Sequence, residues 1–254
     1  MLWVRSLAYY GYLLLSATVL TLVSILSAPL PWRRRLPIAR LWCRGMLWAG
    51  RFFCDFDYVV EGRENIPDTP SVIMVKHTSI IEAFIQVVEF PPQCWVVKRE
   101  LLWIPIFGWG LAPMKPIAIN RSAGHVAVTE VIEKGRERLS EGIWVTIFPE
   151  GTRVEPGATK KYGVSGAALA QSAGVPIVPV AHNACDFWPR KSFLKVPGTM
   201  RFCIGPPIDA GPRKPKDTNL LVQAWVEGKM AEISSAYRDR PSGAAPAAAG
   251  NSAT

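Results

Sequence analysis

Seven short runs rich in β-branched residues constrain this chain more than any other feature. They fall at 59–62, 71–75, 95–98, 116–121, 143–148, 175–180 and 200–204. Apolar residues at helical spacing fill 80–88, 126–139 and 165–172, and 220–237 reads as a terminal helix. Strands alternating with helices predict an α/β fold with a mostly parallel central sheet flanked by helices. Sheets of this kind bind ligands beyond the carboxyl ends of their strands. Five ionisable side chains stand there: His77, Lys98, Arg121, Glu150 and Arg153.

Ahead of the sheet, residues 7–26 are almost wholly apolar and carry no charge. About 20 helical residues cover roughly 30 Å, the thickness of a bilayer's hydrocarbon core. Tyr9, Tyr10 and Tyr12 at one end and Trp32 at the other suit interfacial anchoring. A secretory signal peptide competes with this reading, although residues 24–28 make a poor cleavage context. Arg33, Arg34, Arg35 and Arg40 follow, and by the positive-inside rule they hold the rest of the chain in the cytoplasm, at the inner membrane. Residues 40–56, with Trp42, Trp48, Phe52 and Phe53, predict an amphipathic helix that either lies in the interface or packs on the globular domain. The expected organisation is therefore membrane-anchoring helices over 1–56, a globular domain over 57–240 and a disordered tail over 241–254.

The formal charge of +9, on a chain that is 49% apolar, favours anionic partners at a membrane: anionic lipid or a phosphorylated substrate. Nothing in the chain resembles a nucleic-acid-reading module. Five cysteines without a CxxC pair give neither a disulfide framework nor a zinc site and read as reduced and buried. Three histidines without ligand spacing predict no catalytic metal.

Chemistry concentrates in Lys76-His77-Thr78-Ser79-Ile80-Ile81-Glu82, where a strand hands over to a helix. A carboxylate in the first helical turn reaches back to the imidazole Nδ1–H and leaves Nε2 free as a proton acceptor. Ser79 and Glu82 also form a capping box, so Glu82 closing the helix end is the plainer alternative. A second block, Glu150-Gly151-Thr152-Arg153, sets a carboxylate and a guanidinium around a glycine. Its guanidinium fork suits a phosphate monoester, and Glu150 can accept from substrate hydroxyls. An internal Glu–Arg salt bridge is the alternative there. The motif Gly163-Val164-Ser165-Gly166-Ala167 is one residue short of a hydrolase nucleophile elbow and follows no strand.

Four blocks in order make the chain resemble the glycerolipid acyltransferases, closest to the bacterial 1-acyl-glycerol-3-phosphate acyltransferases. They begin at His77, Ile117, Phe148 and Val175, and the similarity extends from about Val59 to Asp209. The resemblance implies transfer of a fatty acyl group from acyl-CoA or acyl-carrier-protein to the 2-hydroxyl of lysophosphatidic acid, with no further cofactor. It assigns His77 as general base and Glu82 as its orienter. Glu150, Gly151, Thr152 and Arg153 position the glycerol phosphate, Arg121 and Lys98 add positive charge, and the block around Pro176 shapes the acyl-donor side. Another lysolipid acceptor, a lipid hydrolase and a non-enzymatic membrane adaptor are the competing functions. The chain departs from the family in having Glu82 where Asp is usual, and Tyr162-Gly163-Val164 where relatives often carry a lysine, a role Lys160 or Lys161 can take.

Overall fold

The structure, a computed structural model, describes residues 1–238, so the expected tail from Pro241 lies outside the described residues. Two long helices lead, α1 (Leu2–Leu26) and α2 (Trp32–Cys54). The chain continues through β1 (Phe56–Glu61), β2 (Val72–Val75), α3 (Ile81–Glu89), β3 (Gln93–Lys98), α4 (Phe107–Leu111), β4 (Ile117–Ile119) and α5 (His125–Ser140). It ends with β5 (Trp144–Ile147), α6 (Ser165–Ala173), β6 (Ile177–His182), α7 (Ala184–Phe187), β7 (Gly198–Ile204), α8 (Pro215–Ile233) and α9 (Ser235–Arg238).

Among the described residues the strands form one seven-stranded sheet in the order β1-β7-β6-β2-β5-β3-β4. Neighbours run parallel except β6 and β7, which are antiparallel. Every residue of β2, β5 and β6 is buried, as expected for parallel strands covered on both faces. Val131 of α5, Leu169 of α6 and Val222 of α8 pack on one face of the sheet. Met46 of α2 and Phe84 and Ile85 of α3 pack on the other.

The second apolar stretch packs on the globular domain and leaves a second apolar face uncovered. One face of α2 buries Cys43, Met46, Leu47 and Ala49, while Leu41, Trp48 and Phe52 stay exposed. The helix also starts earlier than the apolar pattern indicated, at Trp32, and carries Pro37 inside it. Helix α1 is long and apolar enough to cross a membrane, with a mean hydropathy of 1.7. Its polar side chains nevertheless fasten it to the domain near both ends. Ser6 Oγ accepts from the Lys195 backbone N–H at 3.0 Å, and Ser24 Oγ donates to the Gly110 carbonyl at 3.0 Å. The terminal helix starts at Pro215, whose fixed φ suits a first turn, and stops where Ser234 turns extended.

Candidate active site at the carboxyl edge of the sheet

The sheet register decides which residues can meet. Val75 of β2 pairs with Val180 of β6, and Met74 pairs with Ile147 of β5. The residues just after these three strands therefore crowd together: His77 after β2, Phe148 to Arg153 after β5, and His182 at the end of β6. Farther along the same edge, Lys98 ends β3 opposite Ile119 of β4, and Arg121 follows.

His77 Nδ1 lies 2.8 Å from Glu82 Oε1. A carboxylate only accepts, so Nδ1 carries the proton and Nε2 is left with a free lone pair. The same oxygen accepts the Ser79 backbone N–H at 3.1 Å, so Glu82 caps the helix and orients the imidazole together. Burial pushes the Glu82 carboxyl up, but the hydrogen bond from His77 and the neighbouring His182 outweigh it and hold it below its ordinary range. The longer side chain at this position thus reaches the ring without strain on the contact distance. His77 stacks on Phe148, with centroids 4.0 Å apart and planes 26° from parallel. Its side chain keeps 21% exposure, whereas Glu82 has none.

His182 holds the loop from behind. Its Nε2–H donates to the Lys76 carbonyl at 2.6 Å, and its Nδ1 accepts the Ala184 N–H at 3.3 Å. Both ring nitrogens are occupied in the neutral form, and burial lowers its pKa further. On the other side, the Val154 N–H donates to the His77 carbonyl at 2.8 Å. That bond fixes the segment bearing Arg153 against His77.

Glu150 lies under the rim rather than on it. The side chain is fully buried, with Oε1 3.4 Å from Lys76 Nζ. Lys76 is equally buried and pairs with Glu227 of α8 at 2.7 Å. The expected alternatives had Glu150 meeting substrate or Arg153; the short strand β2 instead directs Lys76 into the protein beneath it. Burial raises the Glu150 carboxyl to about 7 despite Lys76. Gly151 then turns at φ 71, and a Cβ there would point toward Arg121 Nη1, 4.0 Å away. Glycine suits both the left-handed backbone and that approach.

Arg121 therefore hangs over Gly151, and Arg153 lines an adjacent cavity with Ser79 and Ile80. Thr152 is exposed beside them. Lys98 reaches the same edge but pairs with Glu100 at 3.3 Å, both half-exposed. Pro176 stands apart. It precedes β6, and its carbonyl accepts the Val72 N–H, so it sits at the amino end of the strands. Six residues of strand at about 3.3 Å each put it roughly 20 Å from His77. The fourth block approaches the site only at its far end, Val180, two residues before His182. Ser165 opens α6, and Tyr162 is buried close to Glu150 and Glu227. Lys160 and Lys161 point to solvent.

Sequence reasoning singled out neither Lys76 nor His182 for a role. A lysine closing an all-apolar strand was the available signal for the first. Among the described residues, no group of three or more His, Cys, Asp or Glu side chains could hold a metal ion.

The model of the acyltransferase family matches residues 57–183. The 1-acyl-sn-glycerol-3-phosphate acyltransferase of Pseudomonas aeruginosa is 44% identical over 236 residues, which is 91% of this chain and 92% of that one. The mouse 1-acyl-sn-glycerol-3-phosphate acyltransferase alpha is 28% identical over 185 residues, covering 71% of this chain and 65% of the relative. The crystal structure of the 1-acyl-sn-glycerophosphate acyltransferase from Thermotoga maritima superposes with a TM-score of 0.75 at 22% identity, over 94% of this chain and 97% of the other. That likeness shows a shared fold.

Proposed function

The chain belongs to the acyltransferase family, and on that premise we propose that it moves a fatty acyl group from a thioester to the 2-hydroxyl of 1-acyl-glycerol-3-phosphate, giving phosphatidic acid. The observation that carries the reading is the His77–Glu82 pair, with Nδ1 bonded at 2.8 Å and Nε2 left open. Nε2 takes the proton of the acceptor hydroxyl as its oxygen attacks the thioester carbonyl carbon. The tetrahedral intermediate collapses with loss of the thiolate, which recovers that proton from the imidazolium and leaves as the free thiol. No acyl-enzyme forms. A base set against a poor nucleophile is worth roughly 10²–10⁴ in rate, and positioning of both substrates supplies much of the rest.

Arg153 holds the acceptor's phosphate, and Arg121 adds charge above Gly151. Glu150 and Lys76 support that loop from beneath. The donor is acyl-CoA or acyl-carrier-protein. The helices over 1–56 anchor the domain to the inner membrane with its catalytic edge in the cytoplasm, so the lysolipid arrives from the bilayer. Exposed Leu14, Leu15 and Leu22 of α1 and Trp48 and Phe52 of α2 support the anchoring.

The test is the purified full-length protein with radiolabelled lysophosphatidate and, in turn, acyl-CoA and acyl-carrier-protein. Labelled phosphatidic acid is expected with at least one donor. Release of free fatty acid without diacyl product would replace transfer with hydrolysis.

A further inference from the structure

The cavity that Arg153 lines, of about 290 Å³, is walled by Tyr10 of α1 and by the loop after α7, residues 188–193. Its charged lining consists of Arg153 and Lys191, with no carboxylate. Neither cation makes an ion pair or hydrogen bond among the described residues, whereas neighbouring Arg190 is taken up by Glu155 at 3.1 Å. Ser79 also lines the cavity, is 1% exposed, and its hydroxyl has no hydrogen-bond partner among the described residues. Two free cations and a buried unpartnered hydroxyl around one small cavity make a binding site for a doubly charged anion.

The loop that presents Lys191 is held in place. The Ser192 N–H donates to the Pro189 carbonyl at 3.0 Å, closing a turn in which Lys191 has φ 63. The Ser192 carbonyl accepts Trp188 Nε1–H at 3.2 Å. Lys195 fastens the loop to α1: its Nζ sits 3.3 Å from the Tyr10 ring centroid and 4.2 Å from that of Trp188, and donates to the Phe193 carbonyl at 2.9 Å. Tyr10 and Phe193 stack at 4.9 Å. The lysine at 191 is thus aimed from a braced wall.

We propose that Lys191 is the second cation of the acceptor's phosphate site, closing on the phosphate monoester opposite Arg153, with Tyr10 of α1 forming the facing wall. The first apolar helix then builds part of the substrate site as well as anchoring the protein. The proposal rests on the reading of the acceptor as a phosphorylated lysolipid. Ser79 and Ile80 follow His77 closely, so a phosphate in this cavity sets the glycerol beside the imidazole.

The test compares wild-type full-length protein with Lys191→Gln and Lys191→Arg, varying lysophosphatidate at saturating donor and then the reverse. Loss of one charge-assisted hydrogen bond should raise the lysophosphatidate KM about tenfold in Lys191→Gln. That rise should exceed any fall in kcat, leave the donor KM in place, and be largely restored by Lys191→Arg. An unchanged acceptor KM, or a rise in the donor KM instead, overturns the proposal. Titration with glycerol 3-phosphate, read by ³¹P line broadening, separates it from the acceptor assignment. Should the wild type bind that probe through Lys191 yet turn over no lysophosphatidate, the assignment fails and the anion site stands. Binding indifferent to Lys191→Gln removes the site.

Discussion

Lys76 and Glu150 meet in the floor of the site, Nζ 3.4 Å from Oε1, with neither side chain exposed. One precedes His77 and the other precedes Gly151, so a single buried contact joins the loop of His77 to the loop that carries Arg153. Glu227 of α8 completes the cluster at 2.7 Å from the same ammonium, and Tyr237 places its ring 5.1 Å from it.

Removing the cation from this cluster leaves the buried Glu150 carboxyl, and the partly buried one of Glu227, without their partner. Lys76→Met should therefore destabilise the fold by about 3 kcal/mol, the scale found when one member of a buried pair is deleted. Adding Glu150→Gln to it should return part of that loss. Urea unfolding of the two variants checks this, and equal stabilities would contradict it.

Glu150 also gives stability a pH dependence of definite sign. Its carboxyl is raised by burial from 4.5 to about 7, so the folded protein keeps a proton that the unfolded chain has released. The contribution is full below pH 4.5 and is lost as pH rises through about 7. Melting temperatures of wild type and Glu150→Gln across that range should converge or cross in favour of Gln as pH rises. A constant offset would show that Glu150 titrates normally.

Glu82 both caps a helix and holds the His77 ring, and two substitutions divide those tasks. Glu82→Gln keeps an oxygen for Ser79 N–H and for His77 Nδ1–H but removes the charge that stabilises the imidazolium. We expect kcat to fall about 10²-fold, within the range a positioned acid–base group supplies, with a small change in melting temperature. Glu82→Asp keeps the charge and shortens the reach, so it should lose the 2.8 Å contact and slow turnover more than tenfold. Full activity in both variants would reduce Glu82 to a capping residue.

Membrane contact is tested away from the site. Trp48 and Phe52 stack at 5.1 Å on the exposed face of α2. Transfer of each ring from water to lipid is worth about 1.5–3 kcal/mol. The Trp48→Ser, Phe52→Ser double variant should fold normally and partition onto anionic vesicles at least tenfold more weakly. Unchanged co-sedimentation would point to another docking face.

Much of this was legible from local pattern. Strand, turn and helix around His77 are adjacent in sequence, so their geometry follows from β-branched and helical periodicities alone. Lys98 ends its strand, Arg121 and Arg153 follow theirs, and all three share an edge. Pro176 precedes its strand, and the opposite edge could have been inferred from that order. The burial of Glu150 was not legible, because it depends on Lys76 and Glu227 arriving from elements far apart in the chain. Lys191 belongs to no motif; only the docking of α1 against the loop at 188–195 turns it into a lining residue.

The most direct measurement is the steady-state rate of labelled phosphatidic acid formation by wild type and His77→Ala at saturating lysophosphatidate and donor. With Nε2 as the base, kcat should fall by at least about 10²-fold while both substrates still bind. A His77→Ala protein that keeps the wild-type rate would contradict the account at its centre.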